Sequence, residues 1–199
     1  MPKIDPEYFY LAALQKYGID AKALCWNSKE HQQIRFEIIR RALPKEIGSL
    51  TIADAGCGFG DFWLFLKERG EQPKEYIGIE SLERFVHIAR EKTKQQILYL
   101  DVLTDTLPKA DYYICSGTLN TLTSFESFLF LKKCLDASKE GVIFNFLYGS
   151  KQSEIYNYID DAKIAQMLES FHAEIFFEAE GYLKNDKTIG LKKCVQSLE

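Results

Sequence analysis

No stretch of the sequence approaches the run of about 20 apolar residues that crosses a bilayer. The opening Met1-Pro2-Lys3-Ile4-Asp5-Pro6 has no apolar centre of the kind a secretory signal carries. A cytoplasmic protein with no membrane partner is the expectation. Cysteine is sparse: Cys25, Cys57, Cys115, Cys134 and Cys194 are far apart, odd in number and form no C-x-x-C. That spacing argues against a disulfide framework and against structural zinc, and leaves reduced thiols and no metal as the expectation. Strong charge is missing too. A formal net charge of −4, with Arg40-Arg41 the only arginine pair, gives no bulk attraction for nucleic-acid phosphates or anionic lipid, so no nucleic-acid partner is expected. Internal repeats, low-complexity tracts and Ser/Gly linkers are absent. So is G-x-x-x-x-G-K-S/T, and P-loop chemistry goes with it.

What the sequence has is 46% hydrophobic residues in 199, enough for one substantial core, arranged as short apolar runs alternating with amphipathic stretches. This alternation predicts an α/β domain on a parallel sheet. Two helices come first, over residues 6–17 and 28–42, started by Asp5-Pro6-Glu7 and by Ser28. Since they precede the first strand, residues 1–45 read as an N-terminal helical appendage and residues 46–199 as the main domain. Strands are predicted at 50–53, 76–79, 97–100, 111–115 and 142–147. Helices are predicted at 62–68, at 82–92 with Ser81 as cap, at 125–135 and at 161–171. Residues 174–180 and 189–193 read as a closing antiparallel pair across the turn Lys184-Asn185-Asp186-Lys187. In a doubly wound sheet a ligand lies outside the carboxyl ends of the strands, which makes the residues there the candidates.

The first strand runs into Asp54-Ala55-Gly56-Cys57-Gly58-Phe59-Gly60-Asp61. Glycines at alternate positions let a ligand approach the backbone. The spacing is G-x-G-x-G, not the G-x-G-x-x-G of dinucleotide sites, and Asp61 takes the place of that pattern's third glycine. Asp54 and Asp61 would both repel a pyrophosphate, each by about 4 kcal/mol at ~4 Å and an effective dielectric near 20. A ligand with cations and no phosphate suits the loop better, and S-adenosylmethionine is one. Glu80, after the second strand, can accept two hydrogen bonds from a ribose diol. Asp101, after the third, can accept from an adenine amino group with Val102 against the ring. Ser116-Gly117-Thr118-Leu119-Asn120, after the fourth, offers small and polar groups.

With Asp54-Ala55-Gly56-Cys57-Gly58-Phe59-Gly60, Glu80, Asp101 and the Ser116-Gly117 turn in this order, the stretch 50–193 resembles the class I S-adenosylmethionine-dependent methyltransferases. The resemblance implies a Rossmann-like, doubly wound seven-stranded sheet in the order 3-2-1-4-5-7-6, strand 7 antiparallel. It implies a methyltransferase with S-adenosyl-L-methionine as cofactor. Asp54, Ala55, Gly56, Cys57, Gly58 and Gly60 would hold the methionine part, Glu80 and Ser81 the ribose, Asp101 and Val102 the adenine, and Ser116, Gly117 and Asn120 the fourth-strand side. The stretch from Trp26 to Phe36 resembles a segment that folds over the cofactor in small bacterial members. In it Arg35 is either the partner of the methionine carboxylate, for which a planar guanidinium is suited, or a solvent-exposed helix arginine. A lid is expected from residues 1–45 and 148–158.

The acceptor stays open. His31, His87, Tyr148, Tyr156 and Asp105 are candidate bases with none preferred, and His172 belongs to a helix end. No Asn/Asp-Pro-Pro-Tyr follows the fourth strand and no Pro-Cys pair occurs, which disfavours methylation of adenine or amide nitrogen and of cytosine C5. A small molecule is the expected acceptor, with a peptide end second. A non-catalytic adenosylmethionine-binding subunit and an NAD(P)-dependent oxidoreductase are the alternatives, and the oligomeric state is not determined.

Overall fold

The structure is a computed structural model that describes residues 5–24 and 28–194. Cys25 and the Trp26-Asn27 start of the proposed covering segment lie outside the described residues. Helix α1 (Pro6–Tyr17) starts where Asp5 accepts from the backbone N–H groups of Glu7 and Tyr8, and it stops at Gly18 with φ 68°. After a 3₁₀ turn (Ala21–Leu24), α2 (Lys29–Ala42) is capped by Ser28, whose hydroxyl accepts from His31 N. Its last turn is tied down by Arg40, which donates to the carbonyls of Pro44 and Lys45 at 2.9 and 2.7 Å.

The strand–helix alternation then runs β1 (Thr51–Ala55), α3 (Asp61–Glu68), β2 (Glu75–Glu80), α4 (Glu83–Thr93), β3 (Gln96–Tyr99) and β4 (Ala110–Ser116). A 3₁₀ turn (Thr118–Thr121), α5 (Ser124–Ala137), β5 (Ser138–Tyr148), β6 (Tyr158–Ile159), α6 (Asp161–Phe171), β7 (Ala173–Glu180) and β8 (Asp186–Lys193) complete it. The sheet order is β3-β2-β1-β4-β5-β8-β7, with β8 antiparallel to both neighbours and the two-residue β6 paired to the end of β5. With β6 set aside, this is the order 3-2-1-4-5-7-6 expected from the sequence. The strand order reverses between β1 and β4, and their carboxyl ends face one side.

Alternation along β5 builds the two faces. Val142, Phe144 and Phe146 join α5 and α6 in one core, and Ile143 joins α2 and α3 in the other. Burying each such side chain contributes about 1.5–3 kcal/mol. Phe36, Ile39 and Leu43 of α2 belong to that second core. A third cluster, Leu14, Ala23, Phe59 and Phe85, pins α1 and the first 3₁₀ turn to the glycine loop and to α4. No described helix is long and apolar enough to cross a membrane.

Two local expectations fail. Ser81 does not cap α4: Leu82 is the N-cap residue, without a side-chain bond, and the Glu80 carboxylate accepts from the N–H groups of Ser81 and Leu82 instead. The closing turn also lies earlier than 184–187, because Asp186 and Lys187 are already paired into β8 opposite Leu147 and Phe146. The chain reverses just before them, where Asn185 takes φ 61°, a conformation asparagine tolerates.

Candidate functional site

At the carboxyl ends of the strands lies a cavity of about 660 Å³. Its floor is the glycine loop. Gly56, Gly58 and Gly60 have φ of 75°, 55° and 76°, the left-handed region that glycine enters at no steric cost. The backbone folds back on β2: the N–H groups of Gly56 and Cys57 donate to Ile79 O at 2.8 and 3.1 Å, and Gly60 N donates to Cys57 O at 2.9 Å. Gly58 N donates to Glu80 Oε2 at 2.9 Å. Four of the loop's donors are therefore spent inside the protein, and the loop offers a ligand little of the N–H concavity that phosphate needs.

Acceptors face the cavity in their place. Asp54, inside β1, is 3% exposed, and Glu80, the last residue of β2, is 8% exposed; both line the cavity. Burial pushes each carboxyl up to about 7. At Asp54 a bond from Tyr76 opposes the rise, and Glu80 and Asp61 add to it. At Glu80 the backbone N–H groups of Leu82, Gly58 and Ser81 oppose it. Two nearly enclosed carboxyls titrating near neutrality favour an incoming cation and disfavour an anion. Across the whole lining, Asp54, Asp61, Glu80, Asp101, Glu126 and Asp186 set six carboxyls against Arg35 and Lys184.

The other site residues fall as follows. Ser81, Asp101, Val102, Ser116, Gly117, Asn120 and Arg35 line the same cavity with Asp54, Gly56, Cys57, Gly58 and Glu80. Ala55 and Gly60 do not. Ala55 is buried and accepts from Thr118 Oγ1 at 3.3 Å. A Cβ at Gly60 would collide with the Thr93 methyl, so that glycine serves the packing of α3 on α4. Asp101 Oδ1 accepts from Leu103 N at 2.9 Å, and Asp105 Oδ2 accepts from Asp101 N at 2.8 Å, so Asp105 shapes the turn. Cys57 is buried, and burial pushes its thiol well up, which leaves it inert as a nucleophile.

Arg35 is not solvent-exposed. It is 7% exposed, and its Nη2 bonds the Asp186 carboxylate at 2.7 Å, joining α2 to β8. Of the candidate bases, His31 and Tyr156 line the cavity, while His87 and Tyr148 do not. His87 sits 3.9 Å from Glu83 on α4, and Tyr148 donates to Asp161 at 2.9 Å.

Several contributors escaped the sequence reading. Asn145, fully buried in β5, accepts from Gly117 N at 2.8 Å and donates to Ser116 Oγ at 3.3 Å, which fixes the fourth-strand turn. The signal was there: one polar residue inside Val142-Ile143-Phe144-Asn145-Phe146-Leu147. Asn120 Oδ1 accepts from Leu147 N at 3.1 Å and ties the same turn to β5. From α1, Tyr10 shares a hydrogen bond of 3.3 Å with Thr121, and both line the cavity. Leu24 lies over Gly58. These two contacts bring the N-terminal segment against the fourth-strand turn and the glycine loop, and no local pattern announces them.

No family model and no curated protein sequence matches the chain. Solved structures do match in shape. Magnesium protoporphyrin IX methyltransferase from Synechocystis PCC 6803, crystallised with bound SAH, aligns with TM-score 0.69 and 16% identity over 82% of this chain and 84% of its own. An S-adenosylmethionine-dependent methyltransferase from Leishmania major aligns with TM-score 0.70 and 16% identity over 92% and 83%. One from Mesorhizobium loti aligns with TM-score 0.65 and 15% identity over 80% and 98%. The chain has the fold of these methyltransferases.

Proposed function

We propose that the chain is an S-adenosylmethionine-dependent methyltransferase whose acceptor is a small molecule. One observation carries the reading: the loop beneath the cavity spends its N–H groups inside the protein while the buried Asp54 and Glu80 carboxyls face outward. A pyrophosphate needs the opposite arrangement, and a ligand with an ammonium and a sulfonium suits this one.

The roles follow from what each group has left to give. Asp54 offers an acceptor to the ammonium end. Glu80 Oε1 already accepts two backbone bonds and Oε2 one, so Oε2 keeps one lone pair for a ribose hydroxyl. This narrows the two bonds expected from the sequence. Asp101 keeps Oδ2 for an adenine amino group, beside the apolar Val102. Arg35, held at the cavity wall by Asp186, supplies the cation for the ligand's carboxylate. The bound cofactor would supply a methyl group activated by positive sulfur. The protein's own part is to exclude water and align the acceptor, the source of much of the rate in such displacements. Of the candidate bases named from the sequence, His31 and Tyr156 are the ones on this wall.

Titration calorimetry with S-adenosylhomocysteine and, separately, NAD(P) tests the reading. Binding of the first and not the second is expected, and tight NAD(P) binding with no S-adenosylhomocysteine affinity overturns it. Labelled methyl transfer across amines, phenols, thiols and carboxylates then identifies the acceptor. A protein that binds the cofactor and transfers to none of them is the non-catalytic subunit instead.

A further inference from the structure

Asp54 is enclosed by acids and thiols. The titratable groups that act on it or are acted on by it are Glu80 and Tyr76 of β2, Asp61 at the start of α3, Cys57 of the loop and Cys115 of β4. Asp61 is itself matched by Lys92 at 2.6 Å and takes a bond from Gln32 at 3.2 Å. Burial holds both thiols protonated. The single polar partner of the Asp54 carboxylate among the described residues is the Tyr76 hydroxyl, which donates to Oδ2 at 2.6 Å. That length belongs to a strong, charge-assisted O–H···O⁻ bond.

On β2 the residue paired with Asp54 is Gly78, two positions from Tyr76, and Ile97 and Cys57 fill the space a side chain there would take. The ring is 1% exposed and packs on Trp63 with centroids 5.4 Å apart. Tyr76 does not line the cavity, so it touches no ligand there. Its hydroxyl occupies Oδ2 and leaves Oδ1 for whatever enters.

We propose that Tyr76 is a positioning residue for this site: its hydroxyl fixes the Asp54 carboxylate in one rotamer and favours the anionic form that a cationic ligand requires. The inference rests on the cofactor reading above. Of the influences on Asp54, burial and the neighbouring acids oppose the charge, and the Tyr76 bond alone favours it. Without the hydroxyl only the opposing ones remain, and the cation must then displace a proton to bind.

The test is Tyr76→Phe, which keeps the ring on Trp63, read in two ways. The first is the ratio of variant to wild-type Kd for S-adenosylhomocysteine from pH 6 to 8.5, in which the ligand's own titration cancels. The second is the carboxyl-carbon NMR titration of Asp54 in the ligand-free protein, assigned with Asp54→Asn. We expect the Asp54 midpoint to move up by about one pH unit, giving a ratio of about eight at pH 6.5 that falls toward one by pH 8.5. A ratio constant across pH with an unmoved midpoint makes Tyr76 a packing residue and overturns the proposal. If the wild type has no affinity for S-adenosylhomocysteine, the cofactor reading fails, and the midpoint shift alone upholds or overturns the hold of Tyr76 on Asp54. Should Tyr76→Phe not fold, 3-fluorotyrosine labelling supplies a more acidic hydroxyl. The Asp54 midpoint must then move down, and an unmoved one overturns the proposal.

Discussion

At Glu80, three backbone N–H groups and a cavity draw on the four lone pairs of one carboxylate, so its removal is felt both in the loop and at the ligand. Glu80→Gln keeps the size but turns one acceptor into a donor facing an N–H. S-adenosylhomocysteine affinity is expected to fall by about 1–3 kcal/mol, the range for a bond to a charged group. Unchanged calorimetric affinity in a folded variant would remove Glu80 from the site. The same group, with Asp54, links stability to pH. Both carboxyls sit near 7 in the folded protein, above their usual values of 4.5 and 3.8. Each therefore contributes stability that is fully present below about pH 4 and is lost as pH rises through 7. Denaturation from pH 4 to 8 should show wild type losing stability over this window relative to Asp54→Asn; parallel curves would show Asp54 titrating normally. The sequence placed these acids at the strand ends but could not show their burial, since Asp54 is also a common turn residue. Nor could it count the lone pairs Glu80 had left.

At the scale of single elements, the caps and the apolar runs predicted most of what is seen, and the failures share a cause. Helix α1 begins and ends as predicted because Asp5, Pro6 and Gly18 act locally. The strand β5 begins at Ser138, before its apolar run, because Ser138 and Gly141 pair with Ala110 and Tyr112 of β4 at the rim. Helix α5 starts at Ser124, one residue before the predicted 125, because Thr123 caps it through a capping box with Glu126. The two-residue β6 has no pattern to read. Removing the Thr123 hydroxyl in Thr123→Ala should cost about 1 kcal/mol, measured by urea denaturation, and no loss would mean the box is dispensable. Gly60→Ala meets a φ of 76° and the Thr93 methyl together. A loss of about 1–3 kcal/mol is expected, with cofactor affinity falling less than stability, because Gly60 lies outside the cavity wall.

For the molecule as a whole, strand–helix alternation made a parallel α/β sheet legible, and its order followed from the resemblance to the methyltransferases. What was not legible is how the chain closes over its own loop. The Arg35–Asp186 pair spans 151 residues of sequence, and nothing near Arg35 distinguishes a buried wall arginine from an exposed one. Asp186→Ala removes one partner of a buried ion pair and should cost about 3–5 kcal/mol, whereas replacing both partners in Arg35→Met/Asp186→Leu should cost far less. Equal losses in urea denaturation for the single and double variants would mean that the pair is not what the single change disrupts. The double variant, if folded, should still bind S-adenosylhomocysteine poorly, having lost the cation.

The same long-range pair has a consequence for biogenesis. A ribosome delivers Arg35 early and Asp186 only after nearly the whole sheet has been made, and contacts so distant along the chain form late in folding. Until β8 docks between β5 and β7, the cavity lacks one wall and the Arg35–Asp186 bond is not made. A nascent or C-terminally nicked chain would then carry the glycine loop and all three strand-end acids, yet gain no protection from the ligand. Ligand-conferred resistance to proteolysis should switch on only with synthesis of the β7–β8 hairpin, which makes binding a report that β8 is in place.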